Sequence, residues 1–106
     1  MKRIILDENL PVDFRKILPE FDVVTVRYQG WSGIKNGDLI RLIDGDFDIL
    51  ITGDKNLRYQ QNSAVRKIAI IEVPSLRLEI LIRALGEIKA AIRSISAGEY
   101  LKIPLP

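Results

Sequence analysis

Residues 47–54, Phe47-Asp-Ile-Leu-Ile-Thr-Gly-Asp54, combine a short apolar run with an acid that follows it closely. A short run of β-branched and aliphatic residues is typical of a strand buried on both faces of a parallel sheet. The chain opens in the same way, because Ile4-Ile5-Leu6 is followed directly by Asp7. In open α/β sheets, ligands bind outside the carboxyl ends of the strands. We therefore expect Asp7 and Asp54 to lie at the binding edge of such a sheet.

Strand and helix patterns alternate along the rest of the chain. Strands are predicted at residues 3–6, 23–26, 48–52, 68–73 and 100–103, and helices after Pro11, at 38–44, within 55–62, and from Pro74-Ser75 to Gly98. Asn36-Gly37 is predicted to cap the second helix, and Leu39, Ile40, Leu42 and Ile43 to cover its inner face. The alternation predicts a three-layer α/β/α domain with a mostly parallel sheet of four to five strands. The predicted strand order is 3-2-1-4-5.

The composition limits both the size and the chemistry of the protein. At 106 residues and 47% hydrophobic content, residues 1–106 form one domain. No apolar stretch reaches the roughly 18 residues of a membrane span, and the early charges do not fit a signal peptide. A cytoplasmic protein with no membrane contact is predicted. The absence of cysteine and histidine excludes disulfides, zinc sites of the usual kind and catalysis by either residue.

A third acid, Asp38, opens the helix that feeds the strand at 48–52. Taken singly, Asp7, Asp38 and Asp54 each have an ordinary explanation as a helix cap, first-turn acid or turn residue. Taken together, they can converge at one edge of the sheet. Clustered carboxylates repel one another unless a cation neutralises them, and Mg²⁺ or Mn²⁺ is the hard ion that prefers such oxygen ligands.

Basic and aromatic side chains fall in the loops expected around these acids. The net charge of +2 is too small to indicate nucleic acid binding by itself. Lys35, Lys55 and Arg58, together with Arg27, could nevertheless meet phosphates. Tyr28 and Trp31 could stack on an unpaired base, or they could pin their own loop onto the fold.

Three motifs in order resemble a known family. Leu6-Asp-Glu-Asn-Leu-Pro11, Gly30-Trp-Ser-Gly-Ile-Lys-Asn-Gly-Asp38 and Thr52-Gly-Asp-Lys-Asn-Leu57 are similar to segments of the short PIN-like family of uncharacterised bacterial proteins. The resemblance covers nearly the whole chain. It extends to the larger PIN superfamily, which includes the VapC-type toxins of toxin–antitoxin pairs.

The resemblance implies a PIN-like metal-dependent ribonuclease. It places catalysis and a Mg²⁺ or Mn²⁺ site on Asp7, Asp38 and Asp54, and it implies single-stranded RNA as substrate and an antitoxin as protein partner. Residues near these acids would support the site or contact RNA: Glu8, Asn9, Thr52 and Asn56 in the first role, and Lys35, Lys55, Arg58 and Trp31 in the second.

Two alternatives remain open. Full-length PIN ribonucleases have a further acid on a middle helix that this chain does not show, although Glu8, Asn9 or Glu72 could substitute. Without that acid the protein could be an inactive PIN-like module that only binds another protein. A receiver-type phosphoacceptor domain would also place an acidic pair, here Asp7-Glu8, after the first strand and an acid, here Asp54, after the third.

The late helix carries a continuous apolar stripe formed by Leu78, Leu81, Leu85, Ile88, Ile92 and Ile95. Ile80, Ile82, Ala84 and Ala91 widen it beyond what one sheet face requires. Core packing explains the stripe, and so does contact with a second copy in a homodimer or with a partner protein.

Overall fold

A computed structural model describes residues 2–55, 57 and 66–106. The short helix predicted within 55–62 lies outside the described residues, apart from Lys55 and Leu57. The strands are β1 (Arg3–Leu6), β2 (Asp22–Thr25), β3 (Ile49–Thr52), β4 (Ala69–Glu72) and β5 (Tyr100–Lys102). The helices are a 3₁₀ helix (Val12–Ile17), α1 (Asn36–Ile43), α2 (Leu78–Arg83) and α3 (Leu85–Ser94).

The strands form one parallel sheet in the order β2-β1-β3-β4-β5. The parallel sheet is as predicted, but the predicted order 3-2-1-4-5 is wrong. All residues of β3 are buried, which suits a central strand, whereas β2 begins with the exposed Asp22 and suits an edge. In the structure β3 lies beside β1, with Leu50 opposite Ile5.

Helices cover both faces of the sheet, which gives the predicted three-layer α/β/α architecture. Side chains alternate between faces along each strand. Ile4 and Leu6 pack in the larger core, with the 3₁₀ helix, α2 and α3, whereas Ile5 and Leu50 pack in the smaller core against α1. Burial of each such aliphatic side chain contributes about 1.5–3 kcal/mol.

The predicted long helix is two helices with a break at Ala84 (φ −91°, ψ 4°). The break lies two residues before Gly86, and glycine is a poor helix former. Helical structure begins at Leu78 rather than at Pro74-Ser75, and it ends at Ser94. Gly98 does not cap it. With φ +78°, Gly98 instead turns the chain into β5, and its amide donates to the Lys67 carbonyl over 2.9 Å.

The apolar stripe of α2 and α3 packs mainly into the larger core. Leu81, Ala84, Ile88, Ala91 and Ile92 are buried there. Core packing therefore accounts for most of the stripe. Ile82 lies off it and is 50% exposed, and contact of this residue with a second copy or partner stays a prediction.

Helix α1 begins two residues before the predicted start, so Lys35 rather than Asn36-Gly37 occupies its N-cap. Leu39, Ile40 and Ile43 are buried as predicted, but Leu42 is 44% exposed and does not belong to the inner face. Among the described residues, no helix has the length and apolar character required to cross a bilayer.

Candidate functional site

The predicted acids line one cavity at the carboxyl edge of the sheet, next to β1 and β3. After β1 the chain crosses to β2 on one side, and it later returns to β3 on the other side. Such a reversal is where open α/β sheets bind ligands. An open cavity of about 580 Å³ lies here. We call it the acidic cleft, and it is lined by Asp7, Glu8, Asn9, Gly33, Ile34, Lys35, Gly37, Asp38 and Asp54.

Asp7 is the most buried acid of the cleft, with 5% of its surface exposed. Its amide continues the pairing of β1 with β3 by donating to the Ile51 carbonyl over 3.0 Å. Its carboxylate Oδ2 accepts a 2.8 Å hydrogen bond from the Thr52 hydroxyl. The backbone and the side chain of Asp7 are therefore both held by the end of β3.

Thr52 links Asp7 to Asp54. It is fully buried, and while its hydroxyl donates to Asp7, the same oxygen accepts a 3.0 Å bond from the Asp54 amide. A hydroxyl group can serve both roles because it carries one donor and two lone pairs. The predicted supporting residue Thr52 thus positions Asp7 relative to the loop that carries Asp54.

The surroundings of Asp7 raise its pKa above the ordinary value of 3.8. Burial is the largest cause, because desolvation disfavours the charged carboxylate. Hydrogen bonds from Thr52 and from the Glu8 backbone lower the pKa, whereas the negative charges of Glu8 and Asp54 raise it. A cation among these oxygens would relieve both the desolvation and the repulsion.

Glu8 holds the opposite wall of the cleft in place. Both of its carboxylate oxygens accept from the Gly33 amide, at 3.0 and 3.2 Å. Gly33 has φ +87°, a conformation that side chains other than glycine rarely adopt. Gly33 was not among the predicted site residues. Its signal in the sequence is the pair of glycines, Gly30 and Gly33, in the loop that leads to α1.

Asp38 lines the cleft from the first turn of α1. It forms an ion pair with Arg41 one helical turn later, and its side chain is 62% exposed. Asp38 therefore shares the cavity with Asp7 and Asp54, but it is more solvated and already has a cationic partner. Negative charge in a first helical turn is also favoured by the helix dipole.

The oxygen-rich composition of the cleft fits a hard cation. Carboxylates from Asp7, Glu8 and Asp54 and the amide of Asn9 are the kind of ligands that Mg²⁺ and Mn²⁺ prefer. Within the described ranges, however, no three acidic side chains are close enough to form a ready ligand group. Binding would require the acids to approach one another further.

The predicted RNA-contacting residues differ in their placement. Lys35 lines the cleft, and Lys55 is exposed just beyond Asp54. Trp31 is half-buried in the smaller core and meets Phe47 edge to face, with ring centroids 6.4 Å apart. Trp31 thus pins its loop to the fold. Asn56 and Arg58 lie outside the described residues.

Glu72, the other candidate for a further acid, is buried at the end of β4. It accepts a 2.7 Å hydrogen bond from the Tyr100 hydroxyl. Its strand is separated from β1 by β3, with Thr52 directly opposite Glu72. Since neighbouring strands are about 4.8 Å apart, the backbones of Glu72 and Asp7 are separated by about 10 Å, and Glu72 is not gathered with the acids of the cleft.

Comparison with protein-family models, with curated proteins and with solved structures gave no match to this chain.

Proposed function

We propose that this protein is a metal-dependent ribonuclease of the PIN-like type that cleaves single-stranded RNA and acts as the toxin of a toxin–antitoxin pair. The observation that best supports the proposal is that Asp7, Asp38 and Asp54, which come from three separate segments, line one open cleft. Asp7 and Asp54 would hold Mg²⁺ or Mn²⁺, with Asp38, Glu8 and Asn9 available to complete the site.

The chemistry follows from the side chains of the cleft. A bound Mg²⁺ or Mn²⁺ would lower the pKa of a water molecule and offset negative charge on the phosphate. Thr52 orients the carboxylate of Asp7 through its hydroxyl group. Lys35 lies at the cleft wall, where its ammonium group can contact a phosphate. The cleft is open enough for a strand of RNA to reach these groups.

Cleavage of a fluorescently labelled single-stranded RNA in Mn²⁺ and in EDTA tests the proposal. The wild type should cleave only with the metal. Asp7→Asn and Asp54→Asn should each lower the rate by at least about 10- to 100-fold, the loss typical when only a residue that supports a metal ligand is removed. Asp46→Asn is the matched control, since Asp46 is an exposed acid that precedes β3, at the end of the strand opposite the cleft, and its carbonyl accepts from Arg3 at the start of β1.

Equal cleavage by Asp7→Asn and the wild type would contradict the proposal. Persistent inactivity, combined with tight binding to the product of the neighbouring gene, would favour an inactive protein-binding module instead. The toxin role has its own test. Growth should be inhibited when the chain is expressed alone and restored when the adjacent gene is expressed with it.

One observation supports a second candidate, the receiver-type phosphoacceptor domain. The strand order 2-1-3-4-5 is the one found in flavodoxin-like and receiver folds, and Asp7-Glu8 and Asp54 follow the strands that carry acids in receivers. The two lysines near the carboxyl edge of the sheet differ in position. Lys102, at the end of β5, is exposed and lies opposite Glu72 and not in the cleft lining. Lys35 is the lysine that lines the cleft. Incubation with acetyl phosphate followed by intact-mass measurement separates the candidates, because only the receiver gains a phosphoryl group on Asp54.

A further inference from the structure

A second cavity of about 300 Å³ adjoins the acidic cleft and shares Asp7 and Glu8 with it. We call it the tyrosine pocket. Its lining is mostly apolar and includes Leu6, Leu10, Pro11, Val12 and Tyr28. Because Asp7 lies in the walls of both cavities, a molecule in the tyrosine pocket would lie next to the acids of the cleft.

Two large apolar side chains of this pocket are exposed to solvent. Tyr28 is 80% and Val12 67% exposed. The backbone beneath the tyrosine is fixed, since the Tyr28 amide donates to the Thr25 hydroxyl over 3.0 Å. Exposed aromatic rings are the side chains on which proteins stack unpaired bases.

The pocket has three basic residues on its rim, and its two acids, Asp7 and Glu8, are the ones it shares with the acidic cleft. The basic residues are Arg15, Lys16 and Arg27. Arg15 donates through Nε to the Val23 carbonyl over 3.1 Å, and Lys16 pairs with Asp13 at 3.2 Å. Arg27 is exposed and has no salt bridge within the described part of the chain. An apolar pocket with a basic rim is complementary to a nucleotide, which combines an apolar base with an anionic phosphate.

We propose that the tyrosine pocket binds an unpaired base of single-stranded RNA, which stacks on Tyr28 while Arg27 contacts the adjoining phosphate. The inference rests on the proposed function for the presence of RNA in the acidic cleft. It assigns base stacking to Tyr28 rather than to Trp31, whose ring is engaged with Phe47. The cavity is at the lower end of the size range of small-ligand sites, which suits one base. A base held there would place the neighbouring phosphate beside Asp7.

The test is RNA binding measured in EDTA, so that no cleavage is needed. The probe is a fluorescein-labelled single-stranded decaribonucleotide, compared with a decamer of the same length whose central nucleotides lack bases. Tyr28→Ala should weaken binding of the intact decamer about 5- to 150-fold, the range for loss of one base–aromatic stack. Tyr28→Phe, which keeps the ring, should bind like the wild type. Arg27→Ala should weaken binding of both decamers alike, because a phosphate contact does not depend on the base.

Wild-type affinity for the intact decamer in Tyr28→Ala would overturn the inference, and so would equal weakening of the intact and the abasic decamer. Trp31→Ala weakening the intact decamer as strongly as Tyr28→Ala, in a variant whose circular dichroism is unchanged, would also overturn it. The outcome is independent of the nuclease assay. Tyr28-dependent binding without cleavage would support the base pocket and refute the nuclease, whereas normal cleavage with Tyr28-independent binding would do the reverse.

Discussion

Replacing Asp7 with asparagine should alter both the pH dependence and the metal dependence of stability. Because the pKa of Asp7 in the folded protein is raised above 3.8, the native state binds this proton more tightly than the unfolded state does. The free energy of unfolding therefore falls as the pH rises from about 3.8 through the folded pKa. The asparagine side chain cannot ionise. The stability of Asp7→Asn relative to wild type should thus increase with pH across that window and stay constant above it.

The metal-free substitution should itself cost little. The amide oxygen of an asparagine can accept the Thr52 hydrogen bond that the Asp7 carboxylate accepts now, and the two side chains have nearly the same volume. Replacement leaves the buried hydroxyl of Thr52 satisfied, so no penalty for an unpaired Thr52 hydroxyl is expected. At neutral pH it also removes a desolvated charge. We therefore expect a change within about 1 kcal/mol of the wild-type stability.

Divalent metal should stabilise the wild type more than it stabilises Asp7→Asn. A cation that binds only the native state at tenfold its Kd stabilises it by about 1.4 kcal/mol, or about 6–11 °C in Tm for a domain of this size. If loss of the Asp7 carboxylate weakens binding tenfold, the same concentration gives only about 0.4 kcal/mol, or about 2–3 °C. The wild type should therefore show a Tm shift several times larger than that of Asp7→Asn.

The assay is thermal unfolding in Mn²⁺, with NaCl at equal ionic strength as the reference. Asp46→Asn serves as the control for loss of a carboxylate outside the cleft, and its metal response should match that of the wild type. If Asp7→Asn and the wild type show the same metal-induced shift, Asp7 is not a ligand and the proposed metal site is wrong. If metal-free stability of Asp7→Asn relative to wild type falls as the pH rises, the raised pKa is wrong.

Two further predictions concern the support of the site and the fold. Thr52→Val should destabilise the protein by about 1–3 kcal/mol, because it removes the bonds to Asp7 and Asp54 from a buried position; Thr52→Ser should retain them, and equal urea midpoints for the two variants would contradict the linking role. Gly98→Ala should cost about 1–2 kcal/mol because of the positive φ, whereas Gly86→Ala, in helix α3 with open space around its Cα, should stabilise by about 0.5–1 kcal/mol. Denaturant unfolding that ranks these alanine variants in the opposite order would refute the conformational argument.

The features that the sequence predicts best are those with local signals. The boundaries of β1 are as predicted, and its following acid, Asp7, lies at the carboxyl edge of the sheet, where it lines the acidic cleft with Asp54. An apolar run and the acid after it are adjacent in the chain, so their relation survives any error in the order of the strands.

Features that depend on distant contacts were not predictable in the same way. The strand order depends on which edge of β1 pairs with β2 and which with β3. No local sequence pattern specifies that pairing. Glu8 and Gly33 are 25 residues apart in the chain, and their pairing depends on the tertiary fold that brings the end of β1 beside the loop before α1. The contact of Trp31 with Phe47 is also distant in the chain. The sequence alone therefore could not decide between base stacking and packing as the role of Trp31.

The hydrogen bond between Glu8 and Gly33 divides the chain between β2 and α1 into two parts whose lengths are constrained differently. Residues between Thr25 and Gly33 form a closed excursion whose ends are both anchored, so insertions or deletions there would leave the spacing between β1 and α1 unchanged. The segment from Gly33 to the start of α1 at Asn36 is the spacer that fixes the span across the cleft. One residue added to this spacer would displace Asp38 relative to Asp7, so a change in its length would alter the acidic cleft directly.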